Sequence, residues 1–427
     1  MNDLGTSMHS LCAELFPICR SITGSGVRKT LSIIKGHLPN LTLHEVPSGI
    51  RCFDWVVPRE WNIHDAAIID QDGKRIVDFK ESNLHIVGYS IPVNKTLPLE
   101  ELDQHLHSLP DQPQAIPYVT SYYHERWGFC LRHDQRMRLK PGNYKVHIDS
   151  ELSDGFLTYA ELLLPGASAK EVFISSYICH PSMANNELSG PVVTTFLARW
   201  LAALPARRYT YRIVLIPETI GSIVYLSRHH AAMRENIVAG FNVTCIGDDR
   251  AYSYLPSRHG ATLADQAALH TLQHLHPEFK RYSFLDRGSD ERQYCSPGID
   301  LPVCSVMRTK YGQYPEYHTS LDNLDLVTPT GLFGGYDVLQ KTIECIERNE
   351  TLRTTVLCEP QMGRRGLYPT LSQKGSGSQA RHTMNFLAYA DGKRTALEIA
   401  DIINVPLWEL INTIERLKEE GILEVVA

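Results

Sequence analysis

The stretch EVFISSYICHPSMANNELSG, residues 171–190, decides how the rest of the chain is read. Its first seven residues, Glu171–Tyr177, form a largely apolar run without strict alternation, as expected of a strand covered on both faces of a sheet. Polar groups follow at once: Cys179-His180-Pro181-Ser182, then Asn185-Asn186-Glu187-Leu188-Ser189-Gly190, at the start of a helical stretch over 188–204. In an open α/β sheet ligands collect at the carboxyl ends of strands, so this polar cluster is a candidate site.

Outward from it, apolar runs alternate with longer amphipathic ones. Strands are predicted over 211–216, 238–246 and 301–306, and helices over 220–235, 261–275 and 328–348. This is the signature of a layered α/β fold. Residues 51–150 read differently, with short alternating segments, many prolines and the aromatic run PYVTSYYHERWGFCL at 117–131, which predicts a mostly β insertion. Because 8–43 is helical and followed by a strand-like run, the first domain is expected to be discontinuous, 1–50 and 151–352. Residues 353–380, with Gly363, Gly366, Pro369 and the run KGSGS from Lys374, have linker composition. Helices over 383–389, 396–403 and 406–420 and a strand over 422–426 then outline a winged helix-turn-helix at 381–427.

Composition excludes some functions. A net charge of −6 gives no basic footprint for nucleic acid or an anionic membrane, so a small-molecule or peptide substrate is the default partner. The 381–427 unit carries five Lys/Arg against eight Asp/Glu, a net of −3, and is expected to serve packing or protein contact, including a possible homo-oligomer, instead of DNA. No apolar run reaches the roughly 18 residues of a membrane span and no signal-type run opens the chain, so a cytoplasmic location is expected. Ten scattered cysteines without CxxC pairs fit that compartment, and neither Cys179 nor Cys295 has a context that would activate a thiolate.

Three further polar motifs follow apolar runs or precede the closing helix: Pro217-Glu218-Thr219-Ile220-Gly221, Gly247-Asp248-Asp249, and Tyr317-His318-Thr319-Ser320-Leu321-Asp322. Two histidines distant in sequence, with carboxylates on intervening strand ends, supply the N/O donors zinc accepts and leave a position open for water. Glu218 is the candidate for the base that takes that water's proton. Singly, each residue has a plainer reading. Glu187 is equally readable as a favourable charge in the first turn of its helix, Asp248 or Asp249 as turn residues, and Asp290 with Glu291 as a solvated pair. The joint placement at strand ends is what points to a metal.

The phrases HPSMANNELSG, PETIG, RGSDERQYCSPG and PEYHTSLDNLD resemble those of aminopeptidase-like proteins from bacterial surface-polysaccharide and secondary-metabolite gene clusters. LFPICRSITGSGVRKTL, VPSGIRCFDWVVPREWNI, SNLHIVGYS and FLAYADGKRT extend the likeness over nearly the whole chain. That group is similar to the co-catalytic zinc aminopeptidases. The resemblance implies a zinc-aminopeptidase-like (phosphorylase/hydrolase-like) three-layer α/β sandwich with an inserted domain and a C-terminal winged helix. It also implies a zinc-dependent hydrolase of amide bonds, acting as an aminopeptidase or on an acylated amino sugar.

Position by position, His180 and His318 match metal-binding histidines and Glu218 the general base. The other ligand positions are changed: Ser182 stands where an aspartate is usual, Asn186 at the bridging aspartate with Glu187 beside it, Thr219 at a ligand glutamate, and Thr244 at the third-strand aspartate, four residues before Asp248. The lost charge implies one zinc ion in preference to two. The expected metal set is His180, Glu187, Asp248 and His318, with Glu218 as base or ligand. Asn186, Asp290, Glu291, Arg292 and Tyr317 are assigned to the substrate side, where Asp290 or Glu291 pairs with an amine or supplies a missing carboxylate. Two rival expectations remain: a metal-dependent aminoacyl transferase or cyclase on the same scaffold, and an inactive scaffold protein.

Overall fold

The computed structural model describes residues 2–367 and 376–426. Its centre is an eight-stranded sheet in the order Thr42–Pro47, Phe156–Leu164, Thr210–Ile216, Glu171–Tyr177, Ile237–Asn242, Val303–Met307, Ser253–Leu255, Lys280–Arg281. The middle four strands are parallel, and the Phe156–Leu164 and Ser253–Leu255 strands run antiparallel to them. Every residue of Glu171–Tyr177 is buried, which explains its largely apolar pattern without strict alternation: both faces of a parallel strand are covered, so neither carries a solvent-facing polar row.

The chain leaves Glu171–Tyr177 toward one neighbour, Thr210–Ile216, and then crosses back over it to the other, Ile237–Asn242. The loops after these strands therefore diverge and leave a crevice at their carboxyl ends. The predicted 238–246 strand stops at Asn242 because the next residues bond elsewhere. Ile246 N–H donates to Ser189 Oγ at 2.9 Å and Gly247 N–H to Asn185 Oδ1 at 2.9 Å, so the turn after His180 takes the donors a longer ladder would have used. Gly190 lets this loop approach, since a Cβ there would lie 2.5 Å from the Val243 carbonyl oxygen. The helix predicted from 188 begins at Ser189, after a wide π-type turn over Ala184–Leu188.

Within the expected 51–150 insertion, a four-stranded antiparallel sheet runs Arg75–Asp78, Glu60–Ile69, Asn143–Ser153, Val93–Pro98. Its last strand passes residue 150 and continues through a two-residue turn into the Phe156–Leu164 strand of the main sheet. Glu60 pins this junction. Its carboxylate accepts from Arg28 Nη1 at 3.0 Å and Nη2 at 2.5 Å, from Asn62 Nδ2 at 3.0 Å and from the Phe156 N–H at 3.0 Å.

The chain divides into two compact units, residues 1–260 with 280–336, and residues 261–279 with 337–427. The helix Leu263–Leu275, read from sequence as part of the α/β domain, groups with the C-terminal unit. There His270 Nε2 accepts from the Leu407 N–H at 2.9 Å, and its Nδ1 lies 2.5 Å from Asp401 Oδ1. The same unit holds the helices Ser376–Tyr389, Ala396–Ile403 and Leu407–Glu419 and a three-stranded sheet of Asp391–Thr395, Thr351–Thr354 and Leu423–Val425. The linker expected at 353–380 is thus corrected at both ends. Residues 353–354 belong to a strand that the sheet needs for its central position, and the first helix opens at Ser376; 368–375 lie outside the described residues. Among the described residues no helix is long and apolar enough to cross a membrane.

The Glu60 clamp carries a pH signature. Burial alone would raise this carboxyl, but Arg28, Asn62 and the Phe156 N–H outweigh it and hold it at about 2, below its ordinary value of 4.5. A depressed carboxyl stabilises the fold fully above its unfolded value and loses that contribution as pH falls toward 2. Arg28 is one-third exposed, so solvent screening leaves about 1–2 kcal/mol. Glu60→Gln should lower urea stability by that amount at pH 7, with wild type and variant converging between pH 4.5 and 2. A constant gap across that window would reject the assignment.

Candidate active site

His180 stands just past the end of the central strand, and two buried groups, Glu187 and Arg20, position it. Its Nδ1 is 2.9 Å from Glu187 Oε2, which also accepts the His180 backbone N–H at 3.0 Å. Arg20 Nε reaches Glu187 Oε1 at 3.1 Å and the His180 carbonyl at 2.9 Å. The remaining guanidinium donors go to Leu15 O at 2.8 Å, Thr30 Oγ1 at 3.4 Å and Pro181 O at 3.4 Å. Burial alone would lower the His180 imidazole, but Cys179 and then the Glu187 carboxylate outweigh it and raise it. With a carboxylate on Nδ1 that nitrogen keeps its proton, so the ring in its neutral form presents the Nε2 lone pair to the crevice. Cys179 is pushed up to about 11 by burial and stays a thiol, whose sulfur accepts the Glu218 N–H at 3.3 Å.

Glu218 follows the Thr210–Ile216 strand, and its Oε2 lies 3.8 Å from His180 Nε2. It is presented by a turn whose next residue, Thr219, has φ +64, left-handed backbone that a β-branched residue rarely adopts. Asp290 holds this turn: its Oδ1 accepts the Thr219 N–H at 2.7 Å and the Ser222 hydroxyl at 2.9 Å, while Arg292 Nη2 donates to Thr219 Oγ1 at 2.9 Å. Burial, then the neighbouring Glu218 charge, push Asp290 up to about 8.

His318 completes the group. Its ring centroid is 5.4 Å from that of His180, Tyr317 stacks on it at 4.0 Å, and Tyr118 stands edge-on to both imidazoles at 5.2 and 5.3 Å. Burial and then the nearby His180 hold His318 down at about 3, so this ring is neutral. Its backbone is also left-handed, φ +57, and the insertion holds it there: the Tyr118 N–H donates to the His318 carbonyl at 2.9 Å and the Ser320 N–H to Ile116 O at 2.9 Å. Asp322, four residues on, accepts the N–H groups of Ala184, Asn185 and Asn186 at 3.1, 2.6 and 2.9 Å and the Tyr314 hydroxyl at 3.1 Å. It ties the His318 loop to the turn that carries Glu187.

Of the residues singled out from sequence, His180, Glu218, His318 and Tyr317 come together at the crevice. Glu187 does not face it: both its oxygens are committed to Arg20 and His180, behind the His180 ring. Although Cys179, His180 and Glu187 have ligand atoms within 4.8 Å of one another, that cluster lies on the Nδ1 side and is already neutralised by Arg20. Asp248 is likewise spent within its loop, accepting from the Arg250 N–H, the Thr309 N–H and hydroxyl, and Asn185 Nδ2 at 2.6–3.1 Å. Glu291 accepts from the Gly288 and Ser289 N–H groups, the Tyr311 hydroxyl and Asn242. Asp290 and Arg292 support the Glu218 turn. Asn186 is buried, with its Oδ1 and carbonyl on the Tyr177 hydroxyl at 2.9 and 2.8 Å, and Tyr177 also meets Thr244 Oγ1 at 2.6 Å. Where two acidic ligands were looked for, the Tyr177 hydroxyl joins Asn186 Oδ1 and Thr244 Oγ1, and the buried Asn186 Nδ2 has no hydrogen-bond partner.

The donor set fits one cation: two imidazoles, one with its outward nitrogen freed by a carboxylate partner, and a carboxylate 3.8 Å from that nitrogen. It does not supply the acids a second ion would need. Sequence reading missed Arg20, Tyr118 and Asp322. Arg20 and Asp322 stand within the motifs LFPICRSITGSG and PEYHTSLDNLD, and Tyr118 in the aromatic run of the insertion, but only their partners reveal their roles.

Residues 9–349 match the family model of a domain of unknown function, DUF4910, and residues 350–425 that of a winged helix-turn-helix. The chain is 44% identical over 401 residues, 93% of its length and 92% of the relative's, to a "putative polysaccharide biosynthesis protein with aminopeptidase-like domain" of Clostridium acetobutylicum. A crystal structure of a putative peptidase from Clostridium acetobutylicum superposes with TM-score 0.94 at 42% identity, covering 100% of this chain and 97% of that one. A zinc aminopeptidase of Bacillus subtilis shares the fold at TM-score 0.59 and 10% identity, over 80% of this chain and 94% of its own. The zinc-aminopeptidase type of fold is therefore shown, and the chain belongs to the DUF4910 family, joined here to a C-terminal winged helix-turn-helix.

Proposed function

We propose that this protein is a cytoplasmic hydrolase that uses one zinc ion to cleave an amide bond in a small peptide or an amino-sugar-type metabolite. The observation that carries the reading is the convergence of His180 Nε2, Glu218 and His318 at the crevice where the strand connections diverge. The fold's zinc aminopeptidase neighbour and the relative's aminopeptidase-like name support the class of reaction. The mostly buried cysteines suit a reducing compartment.

His180 and His318 would hold the ion, with Glu218 close enough to share it or to act beside it. When bound, zinc supplies Lewis-acid polarisation of the amide carbonyl and a more acidic water. The chain's own residues do the rest. Glu218 takes the water's proton as the carbonyl is attacked and returns it to the departing amine. Glu187, through Nδ1, keeps the His180 ring in the one tautomer that can act as a donor. Tyr118 and Tyr317 shield the imidazole pair from bulk water, which strengthens the charge interactions between them. The replaced acids at Ser182, Asn186, Thr219 and Thr244 favour one rival, an inactive scaffold, and metal content separates the two.

Protein purified with zinc and desalted should hold about one equivalent by atomic emission. His318→Ala should reduce this to under about a tenth. Near two equivalents in the wild type would overturn the single-ion assignment, and none at all, even after added zinc, would leave the scaffold.

Glu187→Gln should weaken zinc affinity about 10–100-fold in a competition titration, although no oxygen of Glu187 faces the crevice. Unchanged affinity would remove its orienting role. Glu218→Gln should keep zinc and lower kcat on a cleaved amide by about 10²–10⁴. Loss of zinc from that variant would make Glu218 a ligand and leave the base unassigned.

A further inference from the structure

A separate cavity of 340 Å³ opens in the inserted region, lined among others by Arg59, Tyr89, Tyr122, Tyr123, Glu125 and Asp154. Its size is at the small end of the roughly 300–1,000 Å³ typical of small-molecule pockets. It adjoins the imidazole pair through two rings. Tyr122 lines the cavity, its hydroxyl lies 3.2 Å from that of Tyr118, and Tyr118 packs edge-on to His180 and His318. A molecule seated in the cavity would thus lie on the far side of Tyr122 from the reacting groups.

The lining combines two kinds of surface. The first is bare aromatic face: Tyr123 is 51% exposed, Trp55 beside it 39%, and their ring centroids are 6.2 Å apart. Tyr123 is not loose, since its hydroxyl donates to the Val56 carbonyl at 3.0 Å. Aromatic rings held in place yet left to water mark a ligand surface more often than a packing one. The second is planar and two-pronged. Arg59 pairs with Glu125 at 3.3 Å, both about half-exposed or more, and Asp154 adds a second carboxylate. Such forks match adjacent hydroxyls, each of which both donates and accepts.

The electrostatics narrow the class. The one arginine of the lining is already paired with Glu125 and bonded to the Leu152 carbonyl, and Glu125 and Asp154 both line the cavity, so an acidic ligand is disfavoured. A peptide strand is disfavoured too, because it would need a free sheet edge, and at this lip the Gly49 N–H is bonded to Val57 O and the Val57 N–H to Ile50 O.

We propose that this cavity is a subsite beside the imidazole pair, across Tyr122, and binds a glycosyl ring that carries no acidic group. The ring lies on Tyr123, with its hydroxyls on Arg59, Glu125 and Asp154, and the amide to be cleaved points past Tyr122. Only that last direction rests on the metal-hydrolase reading; the binding itself does not.

The test uses full-length protein, with and without zinc, and saturation-transfer NMR on a panel of glucose, glucosamine, N-acetylglucosamine and their disaccharides. Glucuronic acid and trialanine serve as controls. At least one neutral or amino saccharide should bind, and Tyr123→Ala and Glu125→Gln should each weaken it about 5-fold or more. Both positions are exposed, so both variants should fold. His318→Ala should leave saccharide binding unchanged, so a failed metal site would not be mistaken for a failed subsite. Absence of binding across the saccharides, binding of trialanine alone, or affinity indifferent to both lining variants would overturn the proposal.

Discussion

The site depends on a charge buried without access to water. Arg20 and the Glu187 carboxylate are both fully buried, and an isolated charge at such depth is strongly disfavoured unless paired and fully hydrogen-bonded. Each condition is met by a different part of the chain. Arg20 follows the first helix, Glu187 sits in the turn before the helix Ser189–Ala203, and the carbonyls that complete the guanidinium shell belong to Leu15, His180 and Pro181. Removing either ion would strand the other. The pair therefore makes the geometry of His180 a requirement of folding.

The insertion is part of this arrangement and not an appendage to it. Tyr118 donates its backbone N–H to the carbonyl of His318, a residue in strained left-handed backbone, and covers both imidazoles with its ring. Thr219, next to Glu218, is strained in the same way and is held by Asp290. Backbone strain of this kind persists only where surrounding bonds over-determine it. Both strained positions lie beside the groups proposed to do chemistry, and Asp322 bridges one of their loops to the turn after His180.

The departures from a two-ion centre also have a physical form. Losing acids at a metal site leaves holes or unpaired donors unless something replaces them. Here Tyr177 fills part of that place, bonding both Asn186 and Thr244 with one hydroxyl, while Asn186 Nδ2 stays buried without a partner. A neutral network is easier to bury than a row of carboxylates awaiting an ion. The side chains at Asn186 and Thr244 are thus bonded to the protein itself through Tyr177.

Sequence by itself determined the layers and the neighbourhood. The largely apolar, non-alternating run Glu171–Tyr177 pointed to a covered strand, and the polar motifs after it and around Glu218 and His318 were placed at the carboxyl edge by the expected strand order and direction. Pattern cannot tell which face of a turn a carboxylate takes. Glu187 and Asp248 were read as ligands because they are acidic and near, whereas the structure uses Glu187 against Arg20 and Asp248 against Thr309. The end of the Ile237–Asn242 strand, the start of the C-terminal unit and the reach of Tyr118 into the site were undecidable for the same reason. Each rests on a hydrogen bond or packing partner dozens to hundreds of residues away, and periodicity records only what lies within a few turns along the chain.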